Sequence, residues 1–307
     1  MIKLFNIPHY TISTSDYNHC LHGTIVTNFE NRFAKYVGAK YACGANSATS
    51  IIFLALQGKF CKITVPSMIP PVVCNAIITS GNKLEFKDDT KWIGDSYVLH
   101  DFGKYKIIDS AQKVIKNQFI LEANNNDLMF FSFYPTKPIG SVDGGMVVSN
   151  DFDKIQWFRE AVFNGMGFSK DSWKRIPKFP GWKMYLNSIQ ADIANKNMDL
   201  LENNKEKLYL LRNLYNKAFS LNNTSEHLYR IIVSNNKICV DRLKKKGLQC
   251  GIHYSALNTN KIYNSKITCP NSEKEQYTTI SIPFHVNIGV EESTYIIQSV
   301  RETQNAV

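Results

Sequence analysis

No apolar run in this chain of 307 residues approaches the roughly 18 positions that a membrane-spanning helix requires, which argues against a transmembrane protein. The opening segment, MIKLFNIPHYTISTSD, also lacks the apolar stretch of about 7–15 residues found in a secretory leader. Cysteine occurs seven times, scattered, odd in number and never as CxxC, which points to the reducing cytoplasm rather than to a disulfide or zinc framework. His9, His19, His22, His100, His227 and His285 show no ligand spacing, so no metal site is expected. Acidic side chains are the scarcer sign, 26 against 36 basic, for a net charge of +10. A helix-turn-helix, RNP or zinc-finger pattern is missing, so this charge reads as a solvated surface and nucleic-acid binding is not expected. Internal repeats and low-complexity tracts are missing as well. With 44% hydrophobic residues, including 18 Phe and 15 Tyr, the chain is too apolar for disorder and long enough for one large core with a smaller appended domain.

The apolar pattern predicts alternating helices and strands. Phe29, Phe33 and Val37 recur at four-residue steps, and Gly38 closes that helix. Short β runs are expected at Tyr41–Cys43, Ile63–Pro66, Leu84–Phe86, Tyr97–His100, Ile107–Asp109, Met129–Phe133 and Met146–Val148, with helices at about 48–58 and 70–80. This alternation implies an α/β domain on a mostly parallel sheet. A helix is expected over 151–164, then a helical pattern of more than thirty residues from Ser188 to about Ser220, long enough to bridge two domains. Beyond it the text is βαβ-like: a strand at Tyr229–Val233, a basic helix at about 237–246 stopped by Gly247, and a strand at Cys250–Tyr254. A last helix is expected over about 291–302. The expected division is 1–190 for the large domain and 191–307 for the long helix and small domain.

Three stretches carry candidate chemistry. In LMFFSFYPTKPIGSVDGG, Lys137 sits on a turn bracketed by Pro135 and Pro138 between two β runs. An amine held still and partly desolvated there favours its neutral, nucleophilic form, whereas a snorkelling strand-end lysine is the plainer reading. In KYKIIDSAQKV, Asp109 ends a buried strand with Gln112 three residues on. That spacing fits a helix capping box equally well as a carboxylate at a strand end. The carboxylate could face the ring nitrogen of pyridoxal phosphate (PLP), with Gln112 donating to the phenolic oxygen. In GANSATSIIFLALQGK, small residues before Ile52, Ala55 and Leu56 leave backbone N–H groups free for an anion, although ordinary Ser/Thr capping explains the same letters.

Taken in order, NSATSIIFLAL, VPSMIPPVVCNAI, IIDSAQ, FFSFYPTKPIGSVDGG, GWKMYLNSIQADIANKNMD and GIHYSAL resemble the landmarks of the DegT/DnrJ/EryC1 family of PLP-dependent sugar aminotransferases. The resemblance implies a fold-type-I, aspartate aminotransferase-like α/β architecture, and an amino acid, glutamate foremost, as amine donor to a nucleotide-linked keto-sugar. It implies that Lys137 carries PLP covalently and moves the substrate proton, that Asp109 holds the pyridine nitrogen, and that Gln112 holds the phenolic oxygen. Ala48, Thr49 and Ser132 would hold the phosphate. Lys183 stands where the family often has an Asn reaching the phosphate from a neighbouring subunit, which implies a homodimer with a shared site. The basic run Lys170, Lys174, Arg175, Lys178 and Lys183 would then favour an anionic substrate.

Departures accompany the resemblance. Pro70 stands where an aromatic ring usually covers the cofactor, and the stretch LHDFGKYKIID lacks the usual insert before the Asp strand. These leave two rival readings: a catalytically altered PLP-binding or scaffold homologue, and a sugar dehydratase of the same fold. The dehydratase is disfavoured by lysine at 137. His253 and Tyr254 resemble the family's small-domain motif near the substrate, and satisfied strand-end side chains are the plainer reading of them.

Overall fold

Phe29, Phe33, Ala34 and Val37 form the buried stripe of α1 (Thr24–Val37), and Gly38 ends it with φ 79°, its N–H capping the carbonyls of Ala34 and Lys35. The computed structural model describes residues 1–7, 23–167 and 174–305. After α1 come β1 (Tyr41–Ala45), α2 (Ala48–Leu56), β2 (Lys62–Pro66), α3 (Pro71–Thr79), β3 (Lys83–Lys87), β4 (Tyr97–Asp101) and β5 (Lys106–Asp109). A short α4 (Gln118–Glu122) leads into β6 (Leu128–Ser132), β7 (Gly145–Ser149) and α5 (Phe152–Ala161). Then follow α6 (Ser188–Asp199), α7 (Leu201–Phe219), β8 (Tyr229–Ile232), α8 (Asn236–Lys245), α9 (Pro270–Thr278), β9 (Thr279–Ile282) and α10 (Val290–Asn305).

Five strands form a sheet in the order β1-β7-β6-β5-β4, beside a parallel β2–β3 pair and an antiparallel β8–β9 pair. The five-stranded sheet is mixed, not mostly parallel as the alternation suggested: β5 and β6 run parallel, while β1–β7, β6–β7 and β4–β5 are antiparallel. The physical reason at β4–β5 is chain length. Only residues 102–105 join these strands, and a parallel crossover needs about a dozen. With so short a link, β4 and β5 form a hairpin.

β6 shows how the sheet is buried on both faces. Leu128 and Phe130 point into one core with Ile51, Ile52, Val147 and Phe158, and Met129 and Phe131 point into a second with Phe29, Phe33, Met146 and Ala191. A third core joins Tyr215, Tyr229, Ile231, Ile280, Ile282, Phe284 and Val300. The long helical pattern is two helices, not one, broken at Leu200 (φ −90°, ψ −8°). α6 contributes Ala191, Ala194 and Met198 to the second core, where α7 also begins with Leu201 before it contributes Leu211 and Tyr215 to the third. The expected strand at Cys250–Tyr254 reduces to a single bridge, Gly251 to Ser281.

An ionic clasp, buried at its carboxylate end, fixes α1 to the sheet. Glu30 accepts from the Gly44 N–H (2.7 Å) and pairs with Arg159 (3.2 Å), which also donates to the Ala42 carbonyl (2.9 Å). Burial pushes the Glu30 carboxyl up, and Arg159 opposes the push. Glu30→Ala is expected to destabilise the fold by about 2 kcal/mol, chiefly because it leaves the buried Gly44 N–H without its acceptor, while Arg159 keeps the Ala42 carbonyl and reaches water. A urea titration measures this, and a change below about 1 kcal/mol would contradict the clasp.

Candidate active site

The C-terminal ends of β5 and β6 lie side by side, so the register that pairs Asp109 with Phe130 carries Ser132 two residues beyond it. Past Ser132 the chain forms a closed turn. The Lys137 N–H bonds the Tyr134 carbonyl (2.9 Å), the Ser141 N–H bonds the Phe133 carbonyl (2.8 Å), and the Asn197 amide caps the Gly140 carbonyl. Gly140 must be glycine here, since a Cβ would stand 2.4 Å from the Pro135 oxygen. This turn presents Lys137. The residue as a whole is half-buried, but its ammonium is desolvated enough to lower its pKa to about 8, against the opposing pull of Asp109. Among the described residues the Lys137 ammonium makes no hydrogen bond or ion pair.

Asp109 closes β5 and Lys137 sits on the turn after the adjacent β6, and each feels the other's charge. The carboxylate accepts from the Ala111 N–H and from the Tyr97 hydroxyl, each at 2.9 Å. Burial nevertheless raises its pKa, with those donors and Lys137 opposing. No helix follows Asp109, and α4 begins only at Gln118, so the capping-box alternative falls. Gln112 is buried, accepting from the Gly94 N–H (2.9 Å) and donating to the Tyr254 hydroxyl (3.1 Å), which leaves one amide hydrogen for a further acceptor. Tyr254 in turn stacks on Trp92 at 6.2 Å and 6°, and Trp92 packs on Tyr97 at 4.8 Å. Pro70 only precedes the first turn of α3, so this aromatic stack from elsewhere in the chain lines the site.

At the start of α2, Ser47 caps the helix by accepting from the Ser50 N–H (3.1 Å), which leaves the Ala48 and Thr49 N–H groups without a partner among the described residues. Gly145 lets β7 pass beneath them, since a Cβ there would stand 2.5 Å from the Ala48 nitrogen. Ser132 faces Gly145 across β6–β7, so Ala48, Thr49 and Ser132 gather at one end of the sheet. Lys183 does not join them through its side chain. It is exposed, on an extended segment whose neighbour Met184 receives the Asn46 N–H (2.7 Å). Of the basic run, Lys178 is tied to Glu160 (2.5 Å), Arg175 lies over the Phe163 ring, and Lys170 is outside the described residues, as are His9, His19 and His22.

The opposite wall comes from the C-terminal part. His253 holds Ser281 Oγ through Nδ1 (2.9 Å), and burial together with the charge of Lys137 lowers its pKa to about 4. His227 is buried beside it and pushed down by the same causes. Phe5 stacks on His227 (5.6 Å) and meets His253 edge-on (5.8 Å). Sequence reasoning overlooked Phe5, Trp92, Gly94, Tyr97 and His227. Tyr97 alone left a local signal, as a polar tip on a buried strand paired with the Asp109 strand. Among the described residues, no group of three or more His, Cys, Asp and Glu could hold a metal ion, and no helix is long and apolar enough to cross a membrane.

The profile of the DegT/DnrJ/EryC1/StrS aminotransferase family matches residues 9–88 and 122–301, and the gap contains β4, β5, Asp109 and Gln112. The chain is 25% identical over 332 residues to the UDP-4-amino-4,6-dideoxy-N-acetyl-beta-L-altrosamine transaminase of Campylobacter jejuni, covering 89% of this chain and 88% of that one. Helicobacter pylori PseC, an aminotransferase involved in the biosynthesis of pseudoaminic acid, superposes with a TM-score of 0.79 at 18% identity, covering 99% of this chain and 100% of its own. Spr1654 of Streptococcus pneumoniae in its PLP form gives 0.79 at 16% identity over 98% of each chain. The structural likeness establishes the fold-type-I architecture.

Proposed function

Because the chain belongs to the DegT/DnrJ/EryC1/StrS aminotransferase family and is therefore a PLP-dependent enzyme, we propose that it moves an amino group from glutamate to the ketone of a nucleotide-linked sugar. The observation that carries the proposal is a desolvated amine without an ion pair, Lys137, sharing a site with a buried carboxylate, Asp109. The Campylobacter relative, a transaminase of a UDP-linked sugar, supports the substrate class.

The donor set fits the cofactor. A carboxylate whose burial outweighs two hydrogen bonds suits a ring nitrogen that brings a positive charge, and free N–H groups at a helix start suit a phosphate. When bound, PLP supplies an aldehyde for the amine and an electron-withdrawing ring beside the substrate carbon. In this reading Lys137 Nζ attaches the cofactor and later takes and returns the substrate proton. Asp109 Oδ holds the ring nitrogen protonated. The unused amide hydrogen of Gln112 would serve the phenolic oxygen, and the Ala48 and Thr49 N–H groups with the Ser132 hydroxyl would hold the phosphate. Trp92 and Tyr254 exclude water from one side.

A homodimer belongs to the same reading. Lys183 is exposed, and Tyr134 and Val142, flanking the Lys137 turn, are 54% and 49% exposed, which suits a face covered by a second copy whose phosphate Lys183 would meet. The division into 1–190 and 191–307 belongs to the same reading: the third core is separate, but α6 packs Ala191, Ala194 and Met198 into the second core, so the cores part within α7. The free state of the six described cysteines suits the cytoplasm.

Adding PLP and then glutamate to the purified protein tests the function. Conversion of the lysine-bound absorbance to that of the pyridoxamine form is expected. Binding without conversion would mean a sensor, and no binding a scaffold. A second expectation concerns pH. With Lys137 titrating at about 8, roughly one amine in ten is neutral at pH 7 and roughly one in a hundred at pH 6. The rate at which the apo-protein captures PLP should therefore rise about tenfold from pH 6 to 7 and level off above 8. A rate flat from pH 6 to 9 would contradict the lowered pKa.

A further inference from the structure

Arg230 is the basic residue of the β8–β9 pair, and the roles of Lys137, Asp109 and Gln112 do not involve it. The register pairs Arg230 directly with Ser281, so both side chains leave the same face of the pair, while Tyr229, Ile231, Ile280 and Ile282 fill the third core on the other. Ser281 Oγ holds His253, and His253 feels the charges of both Lys137 and Arg230. Arg230 is therefore the cross-strand neighbour of the serine that holds His253, and its charge reaches both His253 and Tyr254.

Its guanidinium is incompletely used. One arm pairs with Glu275 (3.0 Å), whose second oxygen accepts from the Thr90 hydroxyl (2.7 Å). Nε is buried with no partner, and the other arm has none among the described residues. An unsatisfied buried donor is costly, and a bridge with only a structural purpose is expected to fill the fork from within the protein. The planar fork matches the oxygens of carboxylates and phosphates.

We propose that Arg230 is an oxyanion subsite of the cleft, taking a carboxylate of the amino-acid donor or a phosphate of the nucleotide-linked acceptor. The inference rests on the aminotransferase reading, because that reading supplies both anions.

Calorimetric titration of the PLP-loaded protein with glutarate, an inert dicarboxylate, and separately with UDP tests it. Arg230→Met is expected to weaken one of the two at least tenfold while the lysine-bound absorbance persists. Loss for glutarate assigns the subsite to the donor, and loss for UDP assigns it to the acceptor. Unchanged affinity for both overturns the proposal. Should Arg230→Met not fold, Glu275→Gln decides: it keeps the guanidinium, removes the competing carboxylate and should tighten one ligand, and no tightening of either overturns the proposal. Failure of the wild-type protein to develop the lysine-bound absorbance would sink the aminotransferase reading itself, before any anion is added.

Discussion

Lys137→Ala is expected to abolish the visible absorbance of lysine-bound cofactor and to lower transamination by about 10⁴-fold, the upper range for a positioned proton-transfer group that is also the point of attachment. The size of the effect follows from the site's composition. His253 is pushed down to about 4 and His227 is pushed down as well, so both are poor proton acceptors for a carbon acid near neutral pH. No other amine of the described residues is coupled to Asp109. Lys137→Arg separates charge from nucleophilicity. A guanidinium keeps a cation beside Asp109, but stays protonated and attacks no aldehyde. It should therefore lose the absorbance as fully as the alanine variant while disturbing Asp109 and the two histidines less. Retained absorbance in either variant would end the assignment of Lys137.

What the sequence made legible was periodic or local. The Phe29, Phe33, Val37 stripe with its terminal Gly38, the fully buried β6, and the Ser47 cap each depend on residues within one or two turns. The same holds for the Lys137 turn, closed by its own prolines and Gly140. The mixed sheet was readable and went unread: residues 102–105 are too few for a parallel crossover, whatever the alternation of elements suggests. The break at Leu200 was not readable, because the apolar period continues through it, from Met198 and Leu201 in the second core to Leu211 and Tyr215 in the third. The aromatic half of the site was hidden for a related reason. Gln112 and Tyr254 lie 142 residues apart, and Gly94, Trp92 and Phe5 acquire their roles only when three distant segments meet. Sequence spacing identified the reactive pair, whereas the groups around that pair are a product of tertiary structure.

Asp109→Asn is expected to move two observables in opposite directions. The amide keeps an oxygen for the Ala111 N–H, so the strand end should hold its geometry. It removes the negative charge, and with it the influence that raises the pKa of Lys137. The amine should therefore titrate below about 8 in the variant, and capture of an aldehyde by the apo-protein at pH 7 should quicken. Catalysis should nevertheless slow by about 10³-fold, roughly 4 kcal/mol, because a neutral amide in a desolvated site no longer favours a protonated ring nitrogen as charge develops on the substrate carbon. A structural role alone would slow both steps or neither. Stopped-flow capture rates and single-turnover transamination on the same preparation separate the cases, and a variant in which both rates fall together would remove Asp109 from the chemistry.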